Sequence, residues 1–185
     1  MTIYVYTGDG AGKTTSALGL AMRSIGHGQK VVMIQFMKWW KKTGEYKIQK
    51  KLADFYEVYQ FGRAAWLKLA KKAEPPKFGS EKFKVEEVES DDRAYALEGL
   101  KKAEEIILKK KPSLLILDEA CLAVASGLLQ AKEVLDVVER APKEMSIVLT
   151  GRNAPKEIID AADFVNRIEA VKYPQDAKVK KGVQY

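Results

Sequence analysis

The chain has 185 residues, 46% of them hydrophobic, with 32 Lys and Arg against 25 Asp and Glu for a formal net charge of +7, one His and one Cys. That length suits a single domain with a well-buried core; no apolar run approaches the roughly twenty residues of a membrane span and no secretion signal precedes the first strand, so a soluble, cytoplasmic protein is expected. Cys121 alone makes neither an internal disulfide nor a thiolate cluster and reads as a small buried hydrophobe, His27 alone excludes a histidine zinc site, and the positive charge favours anionic partners.

The first predicted strand, Thr2 to Thr7, runs into Gly8-Asp9-Gly10-Ala11-Gly12-Lys13-Thr14-Thr15 and then into a helical pattern from Lys13 to Ile25. A glycine-rich turn between an apolar strand and a helix, closing in Gly-Lys-Thr, reads as a phosphate-binding loop. Its backbone N–H groups and the first helical turn point into one concavity that cradles nucleotide phosphates. Lys13 adds a point charge there and the Thr14 hydroxyl is placed to ligate Mg²⁺. Thr7 stands where the usual pattern has its first glycine. Further along the helix, Arg23 is a candidate phosphate contact with a surface salt bridge as the competing reading.

A second strand, Lys30 to Phe36, ends in Gln35-Phe36-Met37-Lys38, and a third spans Phe55 to Phe61. The alternation then lapses between Gly62 and Ser90, a Lys-rich stretch with Pro75-Pro76, Gly79 and several aromatics. An excursion of that length in a compact α/β protein is expected to be a binding loop or lid. A helix is expected from Asp91, as cap, to Lys110, followed by the strand Ser113 to Asp118, whose apolar run closes on Asp118-Glu119. In a parallel sheet ligands lie outside the carboxyl ends of the strands, and both the glycine loop and this carboxylate pair fall there. The pair reads as metal or phosphate machinery, with a helix N-cap as the plainer alternative. A helix from Leu129 to Glu139, a strand from Met145 to Thr150 ending in Thr150-Gly151-Arg152-Asn153, a short helix from Pro155 to Asp160 and a strand from Phe164 to Ile168 complete the chain. Arg152 is a candidate bidentate phosphate clamp, again against a surface salt bridge. Strands alternating with helices predict an α/β fold, a mostly parallel sheet covered on both faces.

No Ser-His-Asp or Cys-His set can be assembled from one histidine. Such a site suits a reaction whose second substrate is already a strong nucleophile, the protein orienting it and stabilising a departing polyphosphate.

The ordered set Thr7 to Thr15, Arg23 with Gly26-His27-Gly28, Gln35 to Lys38, Gly44-Glu45, Leu117-Asp118-Glu119, Thr150-Gly151-Arg152 and the tail from Val171-Lys172-Tyr173 to Gly182-Val183-Gln184-Tyr185 resembles, nearly end to end, the P-loop ATP:corrinoid adenosyltransferases. The resemblance implies a three-layer, RecA-like P-loop fold and transfer of the 5′-deoxyadenosyl group of ATP to the Co(I) form of a corrinoid, with release of triphosphate. It implies ATP bound with its phosphates reversed relative to ordinary P-loop ATPases, a homodimer, and a flavoprotein as candidate electron donor. Carried over, Gly8, Asp9, Gly10, Ala11, Gly12, Lys13, Thr14 and Thr15 hold the nucleotide together with Arg23, Gln35, Lys38 and Arg152. Lys13, Thr14 and Glu119 serve catalysis, and Thr14, Asp118 and Glu119 serve Mg²⁺, Glu119 ahead of Asp118. Trp39, Trp40, Phe61, Trp66 and Phe78 become candidates for packing on the corrin, Trp66 first. Many relatives have Asn in place of Asp9, Lys in place of Ala11, and an N-terminal helical extension before the first strand; here a lid is expected from residues 62–90, a partner subunit or the tail, 171–185.

The rival reading in another class is a P-loop ATPase acting on nucleic acid or a protein partner, in which Glu119 orients water for attack on the γ-phosphate. Nucleic acid is disfavoured by lysines that are scattered and mixed with Asp and Glu. A small-molecule kinase is the third.

Overall fold

A computed structural model describes residues 1–67, 84–172 and 180–183, with the backbone alone for Trp66. Its strands are β1 (Thr2–Thr7), β2 (Val31–Phe36), β3 (Tyr56–Phe61), β4 (Trp66–Leu67), β5 (Val85–Glu86), β6 (Leu114–Asp118), β7 (Ser146–Thr150) and β8 (Phe164–Arg167). Its helices are α1 (Lys13–Gly26), α2 (Gly44–Ile48), α3 (Ser90–Glu105), α4 (Ala120–Ala125), α5 (Ala131–Val138) and α6 (Lys156–Asp160).

Six strands form one sheet in the order β3-β2-β6-β7-β1-β8, every pairing parallel. The loop strand β1 and the acid strand β6 are therefore not neighbours; β7 runs between them. The continuous apolar runs of β2 and β6 are buried along their whole length, as inner strands covered on both faces must be. The edge strand β8 is exposed at all positions, and the ring of Phe164 stacks on that of Tyr4 with centroids 4.9 Å apart.

Side chains alternate between two cores. Val31, Met33, Leu114, Ile116 and Val148 pack with Ala17 and Ala21 of α1 on one face. Val32, Ile34, Phe36, Leu115, Leu117, Ile147 and Leu149 pack with residues of α3, α4, α5 and α6 on the other. The result is the predicted three-layer α/β architecture of the P-loop folds.

The strand predictions for the six-stranded sheet agree with the structure to within a residue, because their β-branched and apolar runs are bounded sharply by polar turns. Helix ends shift more. α3 is capped by Glu89 and not by Asp91, with Glu89 and Asp92 exchanging side-chain-to-backbone bonds as a capping box. The predicted single helix to Lys110 becomes α3 followed by a π-helical turn, Ile106–Lys110, closed by the Lys111 N–H donating to Ile106 O at 3.0 Å. α5 starts at Ala131, two residues later than Leu129, behind a Gln130/Glu133 capping box. Pro155 is the cap of α6, not its first-turn residue. Two short helices, α2 and α4, add to the predicted elements.

Within the 62–90 stretch, β4 and β5 form a two-stranded parallel ladder. Arg63, on the outgoing leg, ties it to the returning chain: its Nε donates to the buried Asp92 of α3 at 2.9 Å and its guanidinium also pairs with Glu86 of β5. Residues 68–83, which hold Pro75, Pro76, Phe78 and Gly79, lie outside the described residues, as does most of the tail, 173–179 and 184–185.

Candidate functional site

Parallel strands bring their carboxyl ends to one edge of the sheet, and at that edge the ends of β1, β2, β6 and β7 meet. The loop after β1 needs its glycines for two reasons. Gly8 and Gly12 adopt the left-handed φ values 97° and 119°. In addition, the end of β8 passes directly beneath: a Cβ on Gly8 would lie 2.4 Å from Ile168 O and one on Gly10 2.8 Å from Glu169 C. The Gly10 N–H donates to Ile168 O at 2.9 Å, so the loop is shaped against β8.

Lys13 is the first residue of α1 and its ammonium folds back over the loop, donating to Gly8 O at 2.8 Å and Gly10 O at 2.7 Å. Burial pushes its pKa down, with the charge of Glu119 opposing. The Thr15 hydroxyl donates to Gly12 O at 3.0 Å and tightens the same turn. Asp9 and Ala11 are exposed on its rim.

Asp118 is fully buried and fully satisfied. Oδ1 accepts from the Thr14 hydroxyl at 2.8 Å and the Thr150 hydroxyl at 2.7 Å, while Oδ2 accepts from Gln35 Nε2 at 3.0 Å and Lys38 Nζ at 2.6 Å. Burial by itself would raise the Asp118 pKa, but the Lys38 ammonium and the two hydroxyls outweigh it and hold the carboxyl below its ordinary value. Gln35 also donates to Glu45 at 3.3 Å and accepts from Gln60 at 2.9 Å.

Glu119 is the opposite case. Its backbone takes the left-handed φ of 63°, and its N–H donates to Thr150 Oγ1 at 3.0 Å. Its Oε2 is buried with no hydrogen-bond partner, and burial, then the neighbouring Asp118 charge, pushes its pKa up. Glu119 occupies the N-cap position of α4, as the plainer reading of this pair has it, but its side chain makes no cap bond there.

The orphaned oxygen of Glu119, next in the chain to the carboxylate that holds the Thr14 hydroxyl, fits a hard divalent cation. Among the described residues no group of three or more His, Cys, Asp or Glu side chains could hold a metal. A cation here would therefore draw most of its ligands from phosphates and water, which is the habit of Mg²⁺. Asp118 has its oxygens already committed to Thr14, Thr150, Gln35 and Lys38.

Arg152 is exposed on the turn after β7, and its charge bears on both Lys13 and Glu119. Arg23 is not brought to this cluster. It occupies the last turn of α1, about 15 Å from Lys13 at the rise of an α-helix. The side chain of Trp66 lies outside the described residues, as does Phe78, while Trp39 and Trp40 follow Lys38 on the turn after β2 and are half-buried.

Thr150, Glu45 and Gln60 belong to this network; Thr150 and Glu45 stand in motifs legible in the sequence without a role of their own, and Gln60 is not singled out there. A signal exists for one of them: β2 and β3 both end in Gln-Phe, and Gln35 and Gln60 are register partners. A polar residue next to the last position of an otherwise apolar strand marks the edge where a parallel sheet binds its ligand.

The profile of the family described as ATP:corrinoid adenosyltransferase BtuR/CobO/CobP matches residues 1–185. A corrinoid adenosyltransferase of a Sinorhizobium species is 31% identical over 187 residues, which cover 99% of this chain and 79% of that protein. The corrinoid adenosyltransferase of Escherichia coli is 30% identical over 99% of this chain and 85% of its own length. Corrinoid adenosyltransferase CobA of Salmonella typhimurium is 29% identical, with 99% and 85% covered.

Proposed function

The chain belongs to the ATP:corrinoid adenosyltransferase family, and on that premise we propose how its residues divide the reaction. The protein transfers the 5′-deoxyadenosyl group of ATP to the Co(I) centre of a corrinoid and releases triphosphate. Reduced cobalt attacks C5′ with its own electron pair, the C5′–O bond breaks, and those electrons leave on the triphosphate. No side-chain nucleophile or base is required, which agrees with a site where, among the described residues, neither serine nor histidine joins the network.

The loop amides of Gly8 to Thr15 hold the triphosphate, apart from the Gly10 N–H, which is engaged by Ile168 O. Lys13, released from the Gly8 and Gly10 carbonyls, becomes its main counter-charge, and Arg152 clamps it from the turn after β7. Stabilising the charge that develops on the leaving group is the greatest acceleration open to such a site. Holding C5′ in line with the cobalt supplies the rest. Thr14 and Glu119 would hold Mg²⁺, which supplies further neutralisation of the phosphates. Gln35 and Lys38 keep Asp118 ionised and fixed, so that Asp118 orients Thr14. Trp39, Trp40 and Phe61, at or just beyond the ends of β2 and β3, pack on the corrin. A single domain spanning 1–185, homodimeric assembly, a flavoprotein electron donor and a cytoplasmic location complete the proposal. Among the described residues no helix is long and apolar enough to cross a membrane.

The observation that carries this reading is the contrast between the two carboxylates: Asp118 has both oxygens engaged, and Glu119 Oε2 has no partner. An anaerobic assay with ATP, Mg²⁺ and chemically reduced corrinoid tests it. Alkyl-cobalt absorbance and stoichiometric triphosphate, both lost in Lys13→Ala, are expected. Steady orthophosphate release without an alkyl-cobalt product would make the protein a P-loop ATPase and refute the reading.

A further inference from the structure

Thr7 takes the place of the first glycine of the usual phosphate loop, and the reaction as assigned makes no use of its hydroxyl. Its side chain lies on the same face of β1 as Ile3 and Val5, and the residue is only 8% exposed. Its Oγ1 accepts the N–H of Ala154 at 3.1 Å. One residue earlier, Tyr6 O accepts the N–H of Gly151 at 3.1 Å. The last two residues of β1 therefore grip both ends of the turn that carries Arg152.

That turn has little freedom to settle elsewhere. Gly151 and Asn153 take the left-handed φ values 141° and 53°. A Cβ on Gly151 would lie 2.5 Å from the Leu122 N, so α4 closes off the other side. The strand carrying Thr7 leads directly into the loop and the turn carries the guanidinium, so the hydroxyl is a direct side-chain link between the two. A glycine at position 7 would offer no acceptor to Ala154.

We propose that Thr7 is a positioning residue that ties the Arg152 turn to the phosphate loop, so that Arg152 and Lys13 are presented to the same triphosphate. The inference rests on Arg152 being a phosphate clamp, and the test separates the two claims. Inorganic triphosphate and ATP are titrated calorimetrically into the wild type, Thr7→Val, Thr7→Ser, Arg152→Ala and the Thr7→Val/Arg152→Ala double variant, with thermal unfolding as the control for folding. Thr7→Ala, which removes the same acceptor with less bulk, carries the test if Thr7→Val does not fold.

Loss of a charge-assisted contact should weaken triphosphate binding about ten- to a hundredfold in Arg152→Ala. Loss of the turn's anchor should weaken it about three- to tenfold in Thr7→Val, with Thr7→Ser restored to wild type. The double variant should bind no worse than Arg152→Ala alone, since Thr7 acts through Arg152. Wild-type affinity in Thr7→Val beside a weakened Arg152→Ala, or losses that multiply in the double variant, would overturn the inference and leave the clamp standing. Wild-type affinity in Arg152→Ala would remove the clamp and the inference together.

Discussion

The ammonium of Lys38 lies 2.6 Å from Asp118 Oδ2, pairing a lysine side chain that is 29% exposed with a carboxylate that has no exposed surface. Met37 makes this possible: with φ at 57° it turns the chain back at the end of β2, against Gly62, where a Cβ would lie 2.7 Å from the Lys38 N. Lys38→Met would leave the Asp118 charge buried with neutral donors only, and should cost about 3–5 kcal/mol by denaturant unfolding. The acid limb should change too. Because the folded-state pKa of Asp118 is depressed, its contribution is present above the ordinary Asp range and is lost as pH falls through the folded value. The wild type should therefore lose stability on acidification below about pH 4, and Lys38→Met should lose less.

Glu119 should show a trade between stability and ligand binding. Its pKa is raised, so the favourable state is the protonated one, complete below the ordinary Glu range and lost as pH rises through the folded value. Glu119→Gln keeps the shape without the charge. It should stabilise the ligand-free protein by about 1 kcal/mol at pH 8, a Tm rise of about 2–4 °C, and have no such effect near pH 4. The same variant should lose the Mg²⁺ dependence of ATP affinity, measured by calorimetry with and without the metal.

Gly10→Ala tests the support of the loop. The new Cβ would meet Ile168 O at 2.9 Å and Glu169 C at 2.8 Å, backbone atoms that cannot swing aside. A cost of about 1–3 kcal/mol is expected, together with weaker triphosphate binding, because the amide that donates to Ile168 must shift. Gly19→Ala, with nothing within 4 Å of its Cβ, is the matched control and should be neutral or slightly stabilising.

Thr150 bridges the two carboxylate residues, donating to Asp118 and accepting from the Glu119 N–H. Thr150→Val strips one donor from a buried carboxylate and leaves one amide unpaired, a loss of about 1–3 kcal/mol for each unsatisfied group. Thr150→Ser retains both bonds and should recover most of the stability and the Mg²⁺-dependent binding. Equal stability in the Val and Ser variants would mean that the bridge contributes nothing.

Cys121 is completely buried, and burial with the nearby Glu119 charge pushes its thiol pKa up to about 12. Alkylation of the native protein by iodoacetamide at pH 8 should follow global unfolding, and triphosphate should slow it by stabilising the native state.

Periodicity and punctuation make the main sheet legible. β2 and β6 are unbroken apolar runs closed by polar residues, and β1 is followed at once by glycines, so these boundaries are written locally. The short elements are not. α2 and α4 have too few turns to show a helical period, and the β4–β5 ladder pairs residues on either side of an excursion whose interior carries no pattern. Within the site, Lys13, Thr14 and the Asp118-Glu119 pair stand out because loop and acid strand are motifs in themselves. Arg23 reads in the sequence as a candidate phosphate contact, yet the helix that begins at the loop carries it to its last turn.

The sequence by itself determined the chemistry at hand: a loop for phosphates, an acidic strand end, no catalytic nucleophile, and the alternation that makes the sheet parallel. Those follow from residues within a few positions of one another, where covalent spacing sets the geometry. Only the tertiary structure decided the division of labour. That Asp118 is saturated while Glu119 Oε2 is left without a partner depends on donors from α1, β2, the turn after β2 and β7 converging on one carboxylate. That Thr7 reaches Ala154 depends on β1 lying between β7 and β8. A hydrogen-bond partner 147 residues away is chosen by strand order and burial, and no local pattern encodes it.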